Sequence, residues 1–423
     1  MKGIDFRQVP FSVIKSTGSE PQTPRHIALV IWAFLAFAFI LTPIADFLTV
    51  RGSSNGDTAR YSLVVRGLIV IGLMFGTLVC GKVRRESCTQ AFLAIVAISA
   101  AGITCLVTDM SGKDFAEQAT FILKVFSFFI YIAGLLCLTD KQRSNLEPLV
   151  LGALLVYAMT IVVGAIFSVD MFRSYQADTH IRSGYEGIVY AQNEASALMI
   201  SGLAYAYARV LKSGWTISTL LPVIVLSAAS LLIGTKAAAA GALVVVCIYF
   251  YARHRAIGAT LKASSTVLIL LAIVLIAYAS IPSVRDAVSL SQDYFMYHYE
   301  HARGNALLTI LLSGRDEKFA AVWADLSDQN FIAVLSGGYP ITRYFIEIDI
   351  PDLILCLGLP AFCFYLVALR REFVFDRPNS LSRYGQLFFW LLLAVACTAG
   401  HILNSAVTSP YLAFLAVLIR RHS

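Results

Sequence analysis

Twelve apolar runs long enough to cross a bilayer recur along the chain, at 27–48, 62–80, 90–107, 119–138, 148–169, 188–211, 216–233, 237–251, 264–281, 350–369, 385–403 and 405–419. Runs of this kind predict membrane-spanning helices. The expected fold is therefore all-α, a polytopic membrane protein with about twelve transmembrane helices. Composition agrees: of 423 residues, 58% are hydrophobic and only 14% charged, with a mean hydropathy of +0.73, which does not suit a soluble globule. The first run is preceded by basic residues but is too long for a signal-peptide core, and it reads as a span.

Lys and Arg in alternate connectors set the orientation. One side collects Lys2, Arg7, Lys15 and Arg25 with Lys82, Arg84, Arg85, Lys141, Arg143, Arg209, Lys212, Arg253, Arg255, Lys262, Arg370, Arg371, Arg377, Arg383, Arg420 and Arg421, and the other side about half as many. The positive-inside rule then puts both termini in the cytoplasm. The expected organisation is a cytoplasmic tail at 1–26, nine helices over 27–281, an external loop at 282–349 and three helices over 350–423. The net charge of +7 follows from this topological bias and gives no reason to expect nucleic acid. All eight cysteines lie in spans or beside them on the inner side, so no disulfide framework is expected and they read as small packing residues.

The long polar connector is the exception to an otherwise apolar chain. Connections of about 65 residues are far beyond ordinary loop length and are generally functional or disordered. Aromatic residues throughout it (Tyr294, Phe295, Tyr297, Tyr299, Phe319, Trp323, Tyr339, Tyr344, Phe345) argue for order. Phe319, Val322, Trp323 and Leu326 recur at helical spacing, which predicts a short amphipathic helix, with Ser313 and Asp316 as an approximate capping box. Arg315 falls in the first turn of that helix, where the macrodipole disfavours a cation. Either an anion such as phosphate faces it, or Asp316 and Glu317 balance it at a solvated helix end.

Other polar residues stand out by their depth. Asp46, Arg66 and Lys124 lie near outer ends, where snorkelling to the interface is the expected reading. Asn193 and Glu194 sit about a turn inside the sixth helix and read as structural. Lys236 sits at the external turn between spans seven and eight, ahead of the small run Ala237–Gly241 that lets helices approach closely. Glu347, Asp349 and Asp352 converge where the long loop meets the tenth span, and His401 lies near the outer end of the eleventh. His298 and His301 are three residues apart, a weak metal signal in an aromatic-rich stretch. No Walker loop, dinucleotide glycine pattern or nucleophile elbow is present.

The order of these features resembles a known family. Arg-Ser-Gly at Arg182 precedes a helix containing Gln-Asn-Glu, and Gly-Thr-Lys-Ala-Ala opens another at Gly234. The long loop then carries Ser-Gly-Arg with Trp323 eight residues on, followed by Gly-Gly-Tyr-Pro, an acidic turn and Leu-Gly-Leu-Pro. Over roughly 180–420 the chain is similar to the O-antigen polymerase and O-antigen ligase superfamily of bacterial inner-membrane glycosyltransferases. The resemblance implies a GT-C-like helical fold and an active site on the periplasmic face. Its donor would be a glycan carried on undecaprenyl diphosphate, transferred to an acceptor hydroxyl with inversion and with no metal or other cofactor.

By that resemblance Arg182 and Arg315 hold the diphosphate, and Lys236 stands where the family usually has Ser-Arg, as a third cation. The implied partners are the lipid-linked glycan, membrane lipid and a chain-length regulator protein. Chemistry gives the same roles. A departing diphosphate needs fixed cations, for which external Arg315, Arg182 and Arg303 qualify. An attacking hydroxyl needs a proton acceptor, for which Asp349 is expected first, then Glu347, then His401. Ligases of the family carry a histidine just before the tenth span, where this chain has Glu347 and Asp349, and this favours a polymerase. A transporter or flippase is the competing class. A major-facilitator fold places its long connector in the cytoplasm between two similar halves, and here the long loop is external and the halves do not match.

Overall fold

The structure, a computed structural model, describes residues 24–56, 59–80, 85–108, 110–174, 184–254, 256–280, 304–328, 330–342 and 344–422, with scattered positions between 281 and 303. Among these the fold is helical throughout, with no strand beyond one isolated bridge between Arg173 and Tyr185. Nine long helices come first: α1 Arg25–Ser54, α2 Tyr61–Val79, α3 Arg85–Val107, α4 Gly112–Cys137, α5 Asp140–Phe167, α6 Gln192–Ser213, α7 Ile217–Leu232, α8 Lys236–Arg253 and α9 Ala256–Ser280. Short helices of the long connector follow, α10 Ala306–Leu312, α11 Arg315–Asp328 and α12 Ile332–Ser336. The chain then re-enters the bundle as α13 Asp349–Leu357, α14 Leu359–Phe373, α15 Ser380–Thr398 and α16 Ser409–His422. Every predicted span coincides with a helix or a helix pair, and seven of the helices are long and apolar enough to cross a membrane by themselves.

Burial is arranged as a bilayer requires. α6 and α16 are buried almost all round and form the axis of the bundle. Peripheral helices leave large apolar side chains uncovered, such as Leu106, Phe167, Ile217 and Ile257, an arrangement that only a hydrocarbon surround tolerates on this scale. α6 and α8 pack so closely at Gly241 that a Cβ there would sit 2.5 Å from Ile200 Cδ1, which is the use of the small run at 237–241. The eight cysteines are all free thiols.

One span is interrupted, and this break and the turn between the last two spans shape the loop end of the bundle. The tenth span breaks between α13 and α14 at Gly358, which adopts φ +80°. The carbonyls this exposes are met by the Gly-Gly-Tyr-Pro segment: Gly338 N–H donates to Cys356 O at 3.0 Å and Tyr339 N–H to Leu355 O at 3.1 Å. Gly337, at φ +75°, lies so close that a Cβ would be 2.5 Å from the Leu357 carbonyl carbon. Gln118 of α4 then donates to Tyr339 O at 2.7 Å, pinning the segment to the bundle. Broken helices at membrane depth persist only where other protein groups satisfy the freed backbone. The turn between the last two spans, α15 and α16, is held by a carboxylate.

Two local expectations need correction. Ser313 does not cap the Arg315 helix; it adopts φ +57° as the C-terminal cap of α10. Asp316 reaches back instead, its Oδ2 accepting from Thr309 Oγ1 at 2.5 Å, which folds α11 against α10. Asp46 and Arg66 do not snorkel. They form a buried ion pair between α1 and α2 with Tyr157 Oη donating to the same carboxylate at 2.5 Å, because a paired charge in the interior is favoured over one that must reach water past packed neighbours.

Candidate functional site

Three elements converge at the loop end, namely the α10–α11 corner, the irregular approach 344–348 to α13, and the turn between α15 and α16. Arg315 is the first residue of α11, and its side chain is 14% exposed. Its Nε lies 3.6 Å from Glu347 Oε2 and Nη1 donates to Leu312 O at 3.4 Å. Lys318, three residues on and on the same helix face, donates from Nζ to Glu347 Oε1 at 2.5 Å. One carboxylate is thus held by two cations.

Glu347 is strained to make this contact, at φ +66°, a conformation that costs a non-glycine residue of the order of 1–3 kcal/mol and collects at functional sites. Its backbone is fixed from behind by Asp352, whose carboxylate accepts from Ile346 N–H at 3.2 Å and Glu347 N–H at 3.1 Å. Gly400 packs on the Glu347 carbonyl so closely that a Cβ would be 2.8 Å from it. The next residue, His401, is also left-handed at φ +76°. The His401 ring stacks on Phe345 with centroids 5.5 Å apart, and its Nδ1 is 3.2 Å from Asn404 Oδ1. With Nδ1 as the donor, Nε2 carries the free lone pair.

Asp349 is fully buried, and its carboxylate is committed. Oδ1 accepts from His401 N–H at 2.6 Å, and Oδ2 from Ile402 N–H at 2.9 Å and Leu403 N–H at 2.8 Å. It ties the start of α13 to the non-helical turn between α15 and α16, and so sets where His401 stands. Lys236, at the N-terminus of α8, donates to Ile310 O of α10 and touches the helix that leads to Arg315. Behind it, Gln192 Nε2 donates to Ile233 O at 2.8 Å and Ser196 pairs with Thr235 at 2.7 Å, tying the start of α6 to the α7–α8 turn. Arg182 and Arg303 lie outside the described residues, as does His298; His301 stacks on Tyr297 at 4.2 Å.

Arg315 Nε, Asp316 Oδ1 and Asn404 Nδ2 are buried without a hydrogen-bond partner. Groups left in this state call for an explanation, and a binding or catalytic role is one. Glu186 sits in the segment ahead of α6, where burial and then the Glu194 charge push its carboxyl up to about 9.

Sequence reasoning brought forward Arg315, Glu347 and His401, which lie around one another, and Lys236 beside the same helices. It missed Lys318, although the i,i+3 relation to Arg315 on a predicted helix was a usable signal. Asn404 carried no signal, because its place beside His401 depends on the turn that Asp349 clamps.

The site therefore sits at the mouth of a polytopic helical membrane protein, built from a long connector, one interrupted span and the turn between the last two spans. A family model described as O-antigen ligase like membrane protein matches residues 30–304, well over half of the chain, and the protein belongs to that family. The match includes Lys236 and ends before Arg315, Glu347 and His401. No curated protein and no solved structure gave a match.

Proposed function

We propose that the protein is a bacterial inner-membrane glycosyltransferase that extends glycan chains from undecaprenyl-diphosphate-linked repeats on the periplasmic face. Membership of the family supports glycosyl transfer. The observation that carries the assignment of the site is the Arg315–Glu347–Lys318 cluster, in which a mostly buried arginine keeps a buried Nε without a hydrogen bond beside a carboxylate that stands where a phosphate would. On this reading the donor diphosphate displaces Glu347 from Arg315 and Lys318, with Lys236, Arg182 and Arg303 as further cations. Guanidinium forks suit two phosphate oxygens, and no metal is needed to neutralise the leaving group.

The acceptor hydroxyl oxygen then attacks the anomeric carbon, the bond from that carbon to the diphosphate oxygen breaks, and the hydroxyl proton passes to a base. Asp349 is poorly suited to that role, since three backbone N–H groups occupy its oxygens, and it becomes the residue that positions His401. His401, with Nε2 free, is the proposed base, and Glu347 the anion that guards the cations until donor arrives. This reverses the order expected from sequence. Chain extension is preferred to ligation because the approach to the tenth span carries Glu347 and Asp349 in place of a histidine.

The test is a deletion strain. Loss of a polymerase leaves single-repeat glycans on the acceptor. Free lipid-linked polymer with a bare core would identify a ligase, and unaltered glycans with altered export of another solute a transporter.

A further inference from the structure

The end of the bundle opposite the loop holds a cleft of about 820 Å³ between the C-terminus of α8, the α14–α15 connection and the start of α15. Five arginines line it, Arg253, Arg370, Arg371, Arg377 and Arg383, with Asp376 as the one acid. Basic residues are expected at this end from topology alone, so their number decides nothing. What separates the cleft from its surroundings is how the charges are matched.

Four arginines elsewhere at this end meet carboxylates: Arg143 meets Asp140 at 2.6 Å, Arg421 the same Asp140, Arg209 meets Glu147 at 3.9 Å and Arg420 meets Glu372 at 3.0 Å. In the cleft, Arg370, Arg371 and Arg383 make no ion pair among the described residues, and Arg253 donates to a phenol, Tyr249, at 2.7 Å. Cations gathered in one concavity repel one another unless an anion joins them. The floor adds a second attraction, since α15 begins there: Asn379 caps it, and the cleft opens on Ser380 and Ser382 of its first turn. A helix of 19 residues presents free N–H groups and the positive end of its dipole at that point.

We propose that this cleft is a binding site for a phosphate-bearing anion, distinct from the site at the loop end. Guanidinium forks from two helices and a helix N-terminus fit phosphate oxygens. The phosphate could belong to the headgroup of an acidic phospholipid or to a soluble phosphate compound, and the chemistry of the cleft is the same for both.

The full-length protein with Arg315→Ala, which weakens the loop site, is placed in phosphatidylcholine nanodiscs and its thermal midpoint followed in two arms. One replaces part of the lipid with phosphatidylglycerol; the other titrates inorganic pyrophosphate. Stabilisation in the first arm alone identifies a lipid headgroup, in the second alone a soluble anion. Arg370→Ala/Arg371→Ala/Arg383→Ala is expected to weaken the response at least about tenfold, because each lost fork removes charge-assisted bonds. Arg25→Ala/Lys141→Ala/Lys262→Ala removes three charges from the same end outside the cleft and is expected to change it by less than about threefold. Should the alanine triple not fold, the three lysine replacements keep the charge and lose the fork, and a weakening of about threefold or more is expected. No stabilisation by either probe, an equal loss in the control triple, or an unchanged response in the variant that folds would overturn the proposal.

Discussion

Replacing Asp349 by asparagine separates a structural clamp from a catalytic base. The carboxylate accepts three N–H bonds, one on Oδ1 and two on Oδ2. Asparagine has a single oxygen. Placed on Ile402 and Leu403 it keeps two bonds at neutral strength, and its amide group then points a donor at the His401 N–H. One buried N–H is left unsatisfied, at about 1–3 kcal/mol, and two charge-assisted bonds fall to ordinary ones, at about 1 kcal/mol each. Removing a buried charge recovers part of this, so a net loss of about 2–4 kcal/mol is expected. The assay is thermal unfolding of the purified protein in detergent, run beside transfer activity per folded molecule. The expected result is a lowered midpoint with activity reduced through a misplaced His401. A variant that melts with the wild type yet transfers nothing would refute the reasoning and return Asp349 to the role of base.

Further outcomes follow from the same structure. Arg315→Ala is expected to abolish chain formation with the protein still accumulating in the membrane, and Arg315→Lys to restore little, because a point charge does not replace a fork; polymer length in each strain checks this. Arg66→Leu strands the Asp46 carboxylate and is expected to cost about 3–5 kcal/mol in thermal unfolding, much of it recovered by adding Asp46→Leu. Glu186 has its folded-state pKa raised to about 9 from an ordinary value near 4.5. Between those values the folded state binds the extra proton, so stability falls as pH rises from about 5 to 9. Glu186→Gln should therefore leave the midpoint unchanged at pH 5 and raise it at pH 8. For topology, a cysteine at Asp328 is expected to react with a membrane-impermeant thiol reagent in spheroplasts and one at Arg377 not to, with Cys88, Cys363 and Cys397 replaced by serine; the reverse labelling would invert the assigned sides.

Hydropathy made the helices legible because each span is a local property of its own residues. What it concealed was where spans break. Leu-Gly-Leu-Pro reads as one apolar run, yet Gly358 at φ +80° ends a helix there, and the partner that makes the break tolerable, Gly337–Tyr339, comes some twenty residues earlier. Arg315 was visible as a cation in the wrong end of a helix, and the structure supplies its counter-charge from 32 residues away. The surroundings of Asp349 were hidden for the same physical reason. A carboxylate at a loop–span junction has the composition of a base, and only contacts 52 to 54 residues distant reveal that backbone N–H groups already fill it. The Asp46–Arg66 pair likewise needed the third dimension, since depth alone cannot separate a snorkelling side chain from a paired one.

On the proposed function, Arg315 and His401 act on a lipid-linked glycan at the loop end. This is tested most directly in proteoliposomes supplied with purified undecaprenyl-diphosphate-linked repeat, reading chain length together with released undecaprenyl diphosphate. Wild-type protein is expected to yield chains and one released carrier per bond formed. Arg315→Ala should yield neither, and His401→Gln should slow both by roughly the 10²–10⁴-fold of a lost acid–base group. Chains formed at the wild-type rate by folded Arg315→Ala or His401→Gln protein would contradict the account.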